Sequence, residues 1–277
     1  MTVIEAIFLG LIQGLAEFLP ISSSGHLSVF QNLLGITTGE SSMMFDVLLH
    51  LGTLVSVCAF YWQDLTNIVR ECIDMVRGVG QPVPGGQKRY SGVRLLVMMF
   101  FATLPLLLVL PLQDQVERLY DSTIFIGIAF LLTGAMLYLA DRMPRGGKTE
   151  KNMRIRDALV IGLCQGVATM PGLSRSGTTI TAGLSVGLNR QFAVKFSFLI
   201  SIPAILGANL LQLVKAIKEG VDIAMMPTYL LGLLVAMVVG YFALSLVQYI
   251  SRKGKFGWFA YYCWFAGVVT LILTIIH

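Results

Sequence analysis

The chain has 277 residues, of which 56% are hydrophobic and 13% are charged, and its mean hydropathy is +0.77. Because soluble domains carry about 25% charged residues, this composition excludes a soluble globular protein and indicates an integral membrane protein. We therefore assign the formal net charge of +5 to cytoplasmic loops and to contact with anionic headgroups, and we expect no nucleic acid as a partner.

The first apolar segment, residues 2–35, is interrupted by Pro20 and by the serine run Ser22–Ser24. Residues 157–189 are interrupted in the same way around Pro171. Irregular backbone is tolerated at membrane depth only where protein buries it or where it lines a water-filled cavity. We therefore predict that both segments are re-entrant helical hairpins.

Six uninterrupted apolar runs are long enough to cross the bilayer as helices. They cover residues 44–62, 94–112, 121–140, 192–214, 226–250 and 257–276. The predicted fold class is therefore an all-α polytopic membrane protein, with six transmembrane helices and two re-entrant hairpins in a single membrane domain over residues 1–277.

Lysine and arginine are concentrated in three loops, which hold five between residues 63 and 94, six between 141 and 156, and three between 251 and 256. Residues 1–43 hold none. Because positively charged loops stay in the cytoplasm, we predict that these three loops lie inside and that both termini lie outside. The first hairpin then enters the membrane from outside and the second from inside.

The two hairpins resemble each other at a constant offset of 152 residues. The identical residues are Gly10, Gln13, Gly14, Ala16, Ser22, Ser24 and Gly25 in the first and Gly162, Gln165, Gly166, Ala168, Ser174, Ser176 and Gly177 in the second. Pro20 and Pro171 are out of step by one position. Two similar units that enter from opposite faces form an inverted repeat, which places a site near the midplane between broken helices. We predict repeat 1 at about residues 1–140 and repeat 2 at about residues 155–277.

The glycines that recur in both hairpins have a simpler explanation, because small residues four apart let helices approach closely. The polar residues beside them need another. Gln13 and Glu17 lie four residues apart, on one face of the first helix. A carboxylate near the centre of a membrane helix costs roughly 2.5 kcal/mol or more unless it is paired or hydrated, so Glu17 marks a functional site. It could accept from an arginine, hold a divalent cation or orient a general base.

Two histidines lie in or near the apolar segments. His26 follows the serine run and is placed for proton transfer near neutral pH. His50 we interpret as a packed or hydrogen-bonded residue of the first span.

The second hairpin carries Arg175 among hydroxyl groups, in the motif Pro-Gly-Leu-Ser-Arg-Ser-Gly-Thr over residues 171–178. Arginine offers a planar fork of donors that matches phosphate oxygens, and a helix start adds free backbone N–H groups. The predicted phosphate site consists of Ser22, Ser24, Gly25, Ser174, Ser176, Gly177 and Thr178. In the alternative interpretation, Ser174 or Ser176 merely caps a helix and Arg175 anchors the chain to lipid headgroups.

Residues 13–26 read Gln-Gly-Leu-Ala-Glu-Phe-Leu-Pro-Ile-Ser-Ser-Ser-Gly-His, and together with the motif over 171–178 they resemble the undecaprenyl-pyrophosphate phosphatase family of the bacitracin-resistance type. The similarity extends along nearly the whole chain. The resemblance implies that the protein hydrolyses a polyprenyl diphosphate, the C55 isoprenoid diphosphate, to the monophosphate. This monophosphate is the lipid carrier that bacterial cell-wall synthesis recycles, and the implied location is the bacterial cell membrane. A homodimer is left open.

The resemblance also implies roles for four residues. Ser23 is the candidate nucleophile, His26 its acid or base partner, Glu17 a metal-associated or activating carboxylate, and Arg175 the phosphate clamp. A divalent cation, Mg²⁺ or Ca²⁺, is implied as a cofactor. The family usually has a glutamate in place of Gln13, and because an amide brings no charge, Gln13 is a weak metal ligand.

A second departure lies near the start of the last span, where the family often has an arginine and this chain has Tyr-Cys-Trp over residues 262–264. Two further alternatives follow from the residues themselves. A water positioned by Glu17 or His26 could attack phosphorus directly instead of a serine. A divergent protein that acts on another lipid phosphate, or a transporter of a polyprenyl phosphate, also fits an inverted repeat with broken helices.

The lysine and arginine pattern makes a prediction about topology. With both termini outside, an impermeant thiol reagent added to intact cells should label Ser41→Cys readily and should not label Lys88→Cys. Permeabilised cells should label both variants, which controls for reactivity. The reverse pattern in intact cells would contradict the orientation.

Overall fold

The computed structural model describes residues 1–33, 40–78, 91–220, 222–253 and 256–276. These residues form helices joined by turns and short loops, with one isolated β-bridge between Lys148 and Leu188. The α-helices are α1 (Val3–Phe18), α2 (Ser23–Leu33), α3 (Glu40–Phe60), α4 (Trp62–Val76), α5 (Ser91–Thr103), α6 (Gln113–Leu119), α7 (Thr123–Arg142), α8 (Ile155–Val167), α9 (Arg175–Ser185), α10 (Arg190–Glu219), α11 (Met226–Lys253) and α12 (Gly257–Ile276). Short 3₁₀ turns cover Leu104–Leu108, Leu110–Leu112 and Ile223–Met225.

Six helical segments are long and apolar enough to cross a membrane, which confirms the six predicted spans and the all-α polytopic fold. They are Met43–Phe60, Ser91–Leu119, Thr123–Arg142, Arg190–Lys218, Ile223–Lys253 and Gly257–Ile276. Lys88 and Arg89, which contribute to the predicted orientation of the first loop, lie outside the described residues.

The structure differs from the sequence prediction around the second span. The predicted continuous run over 94–112 is broken after Thr103 into 3₁₀ turns, and α6 follows them. Pro105 and Pro111 lie within these turns. Because proline lacks a backbone N–H and clashes with the preceding turn, two prolines six residues apart strongly disfavour a continuous α-helix here.

The loop predicted to follow the first span contains a further helix, α4. Its charged residues exclude a membrane crossing, but Ile68 is buried against the core. Glu71 accepts hydrogen bonds from the backbone N–H of Gly92 at 2.6 Å and of Val93 at 3.3 Å. A carboxylate in this position caps the free N–H groups at the start of α5, so α4 fixes where the second span begins.

Each hairpin turns through a residue with positive φ, and the two turns differ in which residue that is. In the first hairpin it is Ser22, with φ of 71°, and in the second it is Gly172, with φ of 84°. Ser22 lies two residues after Pro20, whereas Gly172 directly follows Pro171. This difference explains why the two sequences match on either side of the turn but are out of step at the proline.

Each hairpin packs against a span from the other half of the sequence. Helix α1 packs on α11, and α8 packs on α5 and the 3₁₀ turn after it. A Cβ added to Gly10 would lie 2.6 Å from the carbonyl oxygen of Gly232, and one added to Gly162 would lie 2.4 Å from that of Ala102. These matching glycines therefore let backbones approach closely, as predicted. The repeat boundaries near residues 140 and 155 stay a prediction.

The two hairpin tips meet inside the protein. The hydroxyl of Ser176 donates to the carbonyl oxygen of Leu19 at 3.3 Å. A Cβ added to Gly25 would lie 2.9 Å from the Cα of Gly172, which is closer than real contacts allow. The turns carrying the two motifs, 152 residues apart in sequence, are therefore adjacent in space.

Helices α7 and α12 pack along each other and flank both tips. At one end of this pair, the carboxylate of Asp141 accepts from the backbone N–H groups of Phe256 at 3.0 Å and Gly257 at 2.5 Å. It also accepts from Arg190 at 2.8 Å. One carboxylate thus joins the end of α7 to the starts of α10 and α12.

The close helix contact predicts the effect of adding a methyl group. Gly162→Ala should lower the melting temperature in detergent by several degrees, because the new Cβ would overlap the backbone of Ala102 and α8 must move away. Gly207→Ala is the matched control, since a Cβ on Gly207 of α10 meets nothing within 4 Å. Equal melting temperatures for the two variants would contradict the close packing of α8.

Candidate active site

The carboxylate of Glu17 lies where the hairpins meet and is the centre of a polar cluster. Its side chain is 5% exposed. Oε2 accepts from the Gln13 amide at 2.9 Å and from the Ser23 hydroxyl at 2.6 Å, and Oε1 forms an ion pair with the Arg175 guanidinium. Gln13 and Glu17 share a face of α1, as predicted from their spacing. Tertiary structure adds Ser23 from the turn and Arg175 from the second hairpin.

Arg175 is the first residue of α9. The Ser174 hydroxyl caps this helix by accepting from the Gly177 N–H at 3.1 Å, and it lies 3.2 Å from the Ser176 hydroxyl. The side chain of Arg175 is 19% exposed, so it keeps limited access to solvent while it contacts Glu17. Removing one partner of a buried ion pair costs about 3–5 kcal/mol, because the other charge stays buried without a partner.

The serines of the first hairpin repeat this capping arrangement. The Ser22 hydroxyl accepts from the Gly25 N–H at 3.3 Å and lies 3.4 Å from the Ser24 hydroxyl. The four serines therefore hold the two helix starts in shape, and a helix start is a general binding site for anions. Among the predicted phosphate donors, the Thr178 hydroxyl is buried and has no hydrogen-bond partner within the described part of the chain.

Ser22, which directly precedes Ser23, has a left-handed backbone conformation. A non-glycine residue in this conformation costs about 1–2 kcal/mol, and such strain is concentrated at functional sites. In the second hairpin a glycine takes this conformation without cost. The strain therefore distinguishes the hairpin that carries Ser23 from the hairpin that carries Arg175.

The ring of His26 faces away from this cluster. Its Nδ1 lies 2.7 Å from the carbonyl oxygen of Ser22, and its Nε2 lies 2.8 Å from the hydroxyl of Tyr262. Among the described residues these are its hydrogen-bond partners, and Ser23 is not one of them. The side chain that accepts from Ser23 is Glu17.

Two site residues are ones that the sequence analysis did not assign. His50 lies on α3, and its Nε2 is 3.9 Å from Oε2 of Glu17, while its Nδ1 bonds the carbonyl oxygen of Asp46 at 2.8 Å. His50 is therefore hydrogen-bonded, as the sequence analysis expected, but it also lies beside the Glu17 carboxylate. The signal was available, because Asp46 and His50 are an ionisable pair four residues apart in an apolar span.

The second missed residue is Tyr262, in the stretch where the chain departs from the family pattern. Its neighbour Cys263 is buried, and the thiol lies 3.7 Å from the carbonyl oxygen of Pro20. Residues 262–263 of α12 therefore contact the first hairpin at its turn. No local pattern in an aromatic, apolar helix indicates such a contact.

Thr133 of α7 supports the second turn from behind. It is fully buried, donates to the carbonyl oxygen of Gly172 at 3.2 Å and accepts from the N–H of Ser174 at 3.1 Å. One hydroxyl thus satisfies both backbone groups beside the turn, which keeps the start of α9 in place.

The groups around Glu17 include oxygen atoms of the kind that bind hard divalent cations. Oε1 of Gln13 is fully buried and, in the described part of the chain, has no hydrogen-bond partner. Carboxylate and amide oxygens are the ligands that Mg²⁺ and Ca²⁺ prefer, and Mg²⁺ is commonly held by one or two carboxylates together with phosphate oxygens. The described residues contain no group of three or more His, Cys, Asp or Glu side chains arranged to hold a metal by themselves.

Comparison with known proteins gives a consistent result along the chain. The family described as bacitracin resistance protein BacA matches residues 6–269. A relative from Methanosphaera stadtmanae named undecaprenyl-diphosphatase is 39% identical over 99% of each chain. Relatives with the same name from Carboxydothermus hydrogenoformans, 41% identical over 97% of this chain and 96% of the relative, and from Halothermothrix orenii, 40% identical over 99% and 98%, agree with it.

The geometry of Arg175 makes a prediction about anion binding. Arg175→Lys keeps the charge beside Glu17 but loses the planar fork, so we expect a melting temperature close to that of the wild type and an affinity for inorganic pyrophosphate at least tenfold lower, about the loss expected for one charge-assisted hydrogen bond. Calorimetric titration in detergent measures both, and Arg156→Lys, outside the cluster, is the control. Unchanged affinity would make Arg175 a headgroup anchor.

Proposed function

The chain belongs to the bacitracin resistance protein BacA family, and from this premise we propose that it is an undecaprenyl-diphosphatase. It hydrolyses undecaprenyl diphosphate to undecaprenyl phosphate and inorganic phosphate, which returns the lipid carrier to cell-wall synthesis and confers bacitracin resistance. The observation that carries this proposal is the Ser23 hydroxyl, which donates to the buried Glu17 carboxylate beside the Arg175 guanidinium. A hydroxyl, a base and a cation in contact are what displacement at phosphorus requires.

Ser23 is the nucleophile in this proposal. Its proton moves along the existing hydrogen bond to Glu17 as Oγ forms a bond to the terminal phosphorus, and the bond from that phosphorus to the bridging oxygen breaks. The lipid monophosphate leaves as an anion and needs no proton, because the second pKa of a phosphate monoester is about 6. Water then attacks the phosphoserine and passes one proton to a phosphate oxygen, the bond from phosphorus to Oγ breaks, and Glu17 returns its proton to Ser23 as inorganic phosphate departs.

Arg175 binds the terminal phosphate. One guanidinium nitrogen contacts Glu17, and an arginine has five donors in all, so others are available to phosphate oxygens while the ion pair persists. The predicted phosphate contacts from Ser22, Ser24, Gly25, Ser174, Ser176, Gly177 and Thr178 remain part of the proposal. The Thr178 hydroxyl, which has no hydrogen-bond partner among the described residues, supports a direct contact, and the two helix starts support contacts through backbone N–H groups.

Glu17 and Gln13 would hold a divalent cation in this site. Bound there, Mg²⁺ or Ca²⁺ would neutralise charge on the diphosphate, which lowers the barrier to attack by an anionic nucleophile. We further propose the bacterial cell membrane as the location, with both termini outside the cytoplasm. Nucleic acid is not an expected partner, and assembly as a homodimer stays a prediction.

The function is tested by phosphate release from undecaprenyl diphosphate in detergent, with and without Mg²⁺ or Ca²⁺. The wild type should release phosphate, and Ser23→Ala should lose at least about a thousandfold in kcat, as expected on removing a nucleophile. Ser245→Ala, on the exposed part of α11, is the control and should retain full activity.

The other outcomes separate the alternatives. Wild-type protein that binds the lipid and releases no phosphate at any metal concentration would favour a transporter. Ser23→Ala protein that stays active would favour direct attack by water positioned on Glu17.

The departure at residue 13 makes a prediction about metal dependence. Gln13→Glu places two carboxylates one helical turn apart, so it should lower the divalent concentration needed for half-maximal hydrolysis. Without metal it should reduce activity, because the amide that now donates to Glu17 becomes a second negative charge. Adding Glu17→Gln to this variant should remove the gain. An unchanged metal response would place residue 13 outside the metal's ligands.

A further inference from the structure

Both ring nitrogens of His26 are occupied. Nδ1 lies 2.7 Å from the carbonyl oxygen of Ser22, and because a carbonyl only accepts, Nδ1 carries the proton. In the neutral ring Nε2 is then an acceptor, so the hydroxyl of Tyr262, 2.8 Å away, donates to it. Tyr262 and the turn of the first hairpin are therefore joined through His26.

Aromatic packing fixes the ring in this position. The rings of His26 and Tyr262 stack with centroids 5.6 Å apart and planes at 10°, and Phe130 contacts His26 at a centroid distance of 4.8 Å. His26 is 7% exposed, so its ring has little room to turn. A phenylalanine at position 262 would keep the stacking and remove only the hydroxyl.

These contacts lead from Tyr262 through His26 to Ser22, whose backbone is strained. Ser22 is the non-glycine residue with positive φ among the described residues. Its carbonyl oxygen accepts twice from His26, from the backbone N–H at 3.3 Å and from Nδ1 at 2.7 Å. A carbonyl held by two donors fixes the peptide plane between residues 22 and 23, and so opposes relaxation of the left-handed conformation.

The position of Ser23 depends on that peptide plane. Ser23 follows Ser22 directly, and its hydroxyl lies 2.6 Å from Oε2 of Glu17. If Ser22 relaxed to negative φ, the backbone at Ser23 would rotate and this short hydrogen bond would be lost. In the second hairpin Gly172 adopts positive φ without steric cost, so the contact from Thr133 to its carbonyl oxygen offsets no backbone strain.

We propose that Tyr262 is a positioning residue for Ser23: through His26 it holds Ser22 in the left-handed conformation that places the Ser23 hydroxyl on Glu17. The proposal rests on the proposed function, because it concerns the placement of that nucleophile. In this proposal His26 holds the backbone of Ser22 in place. Tyr262, which lies in the stretch that departs from the family pattern, acts on the site through His26.

The test is a cycle that combines Tyr262→Phe with Ser22→Gly, measuring kcat and KM for phosphate release from undecaprenyl diphosphate. Tyr262→Phe alone should lower kcat about tenfold with KM changed less than about twofold, roughly the barrier change from losing one hydrogen bond. In the Ser22→Gly background the same change should cost less than about threefold, because glycine adopts positive φ without support and loses little as a helix cap. Tyr261→Phe, whose ring is exposed, is the control and should leave kcat unchanged relative to its own background, whether wild type or Ser22→Gly.

Melting temperatures give the same cycle without reference to activity. Tyr262→Phe should lower the melting temperature, and Ser22→Gly should remove most of that difference. If Tyr262→Phe cannot be isolated in folded form, the double variant should restore the folded yield, and failure to do so overturns the proposal. An unchanged kcat in Tyr262→Phe, or an equal loss in both backgrounds, also overturns it.

The two proposals fail in different ways. Wild-type protein without phosphate release would defeat the proposed function, while the melting-temperature cycle would still decide the role of Tyr262. An active wild type with no rescue by Ser22→Gly would defeat only the positioning role.

Discussion

The ion pair between Glu17 and Arg175 is the interaction on which the remaining structure of the site depends. The two residues are 158 positions apart and both are largely buried, so each needs the other to offset the cost of leaving water. They can meet only if both hairpins stop inside the protein with their tips in contact. The glycines against α11 and α5, and the contact between Gly25 and Gly172, bring the backbones close enough for this.

Each hairpin turn is held in place by a helix from the other half of the chain. Helix α7, from the first half, holds the second turn through Thr133, and α12, from the second half, holds the first turn through Tyr262 and Cys263. Because α7 and α12 also pack along each other, the two turns share one scaffold. A displacement of either helix would change the distance between the carboxylate and the guanidinium, so the site is sensitive to packing well outside it.

The two hairpins have similar sequences and different tasks. Both use a serine to cap the helix that follows the turn. They differ at the turn itself, where one has a strained serine next to Ser23, the proposed nucleophile, and the other an unstrained glycine before Arg175, the proposed phosphate ligand. The strained turn belongs to the half that carries the proposed nucleophile, and stored backbone strain is concentrated at functional sites.

The sequence by itself determined the membrane class, the six spans and the two interrupted hairpins, because apolar length and breaks by proline and serine are local properties. It also made Gln13, Glu17, Ser23 and Arg175 candidates for a site, since ionisable and polar groups are costly in an apolar membrane segment. Only the tertiary structure decided which groups meet. The Ser23 hydroxyl donates to Glu17, the His26 ring bonds to Tyr262, and His50 lies beside the Glu17 carboxylate. These outcomes depend on how the two hairpins pack with the membrane-spanning helices, and a side chain's direction after a left-handed turn cannot be read from its neighbours in sequence.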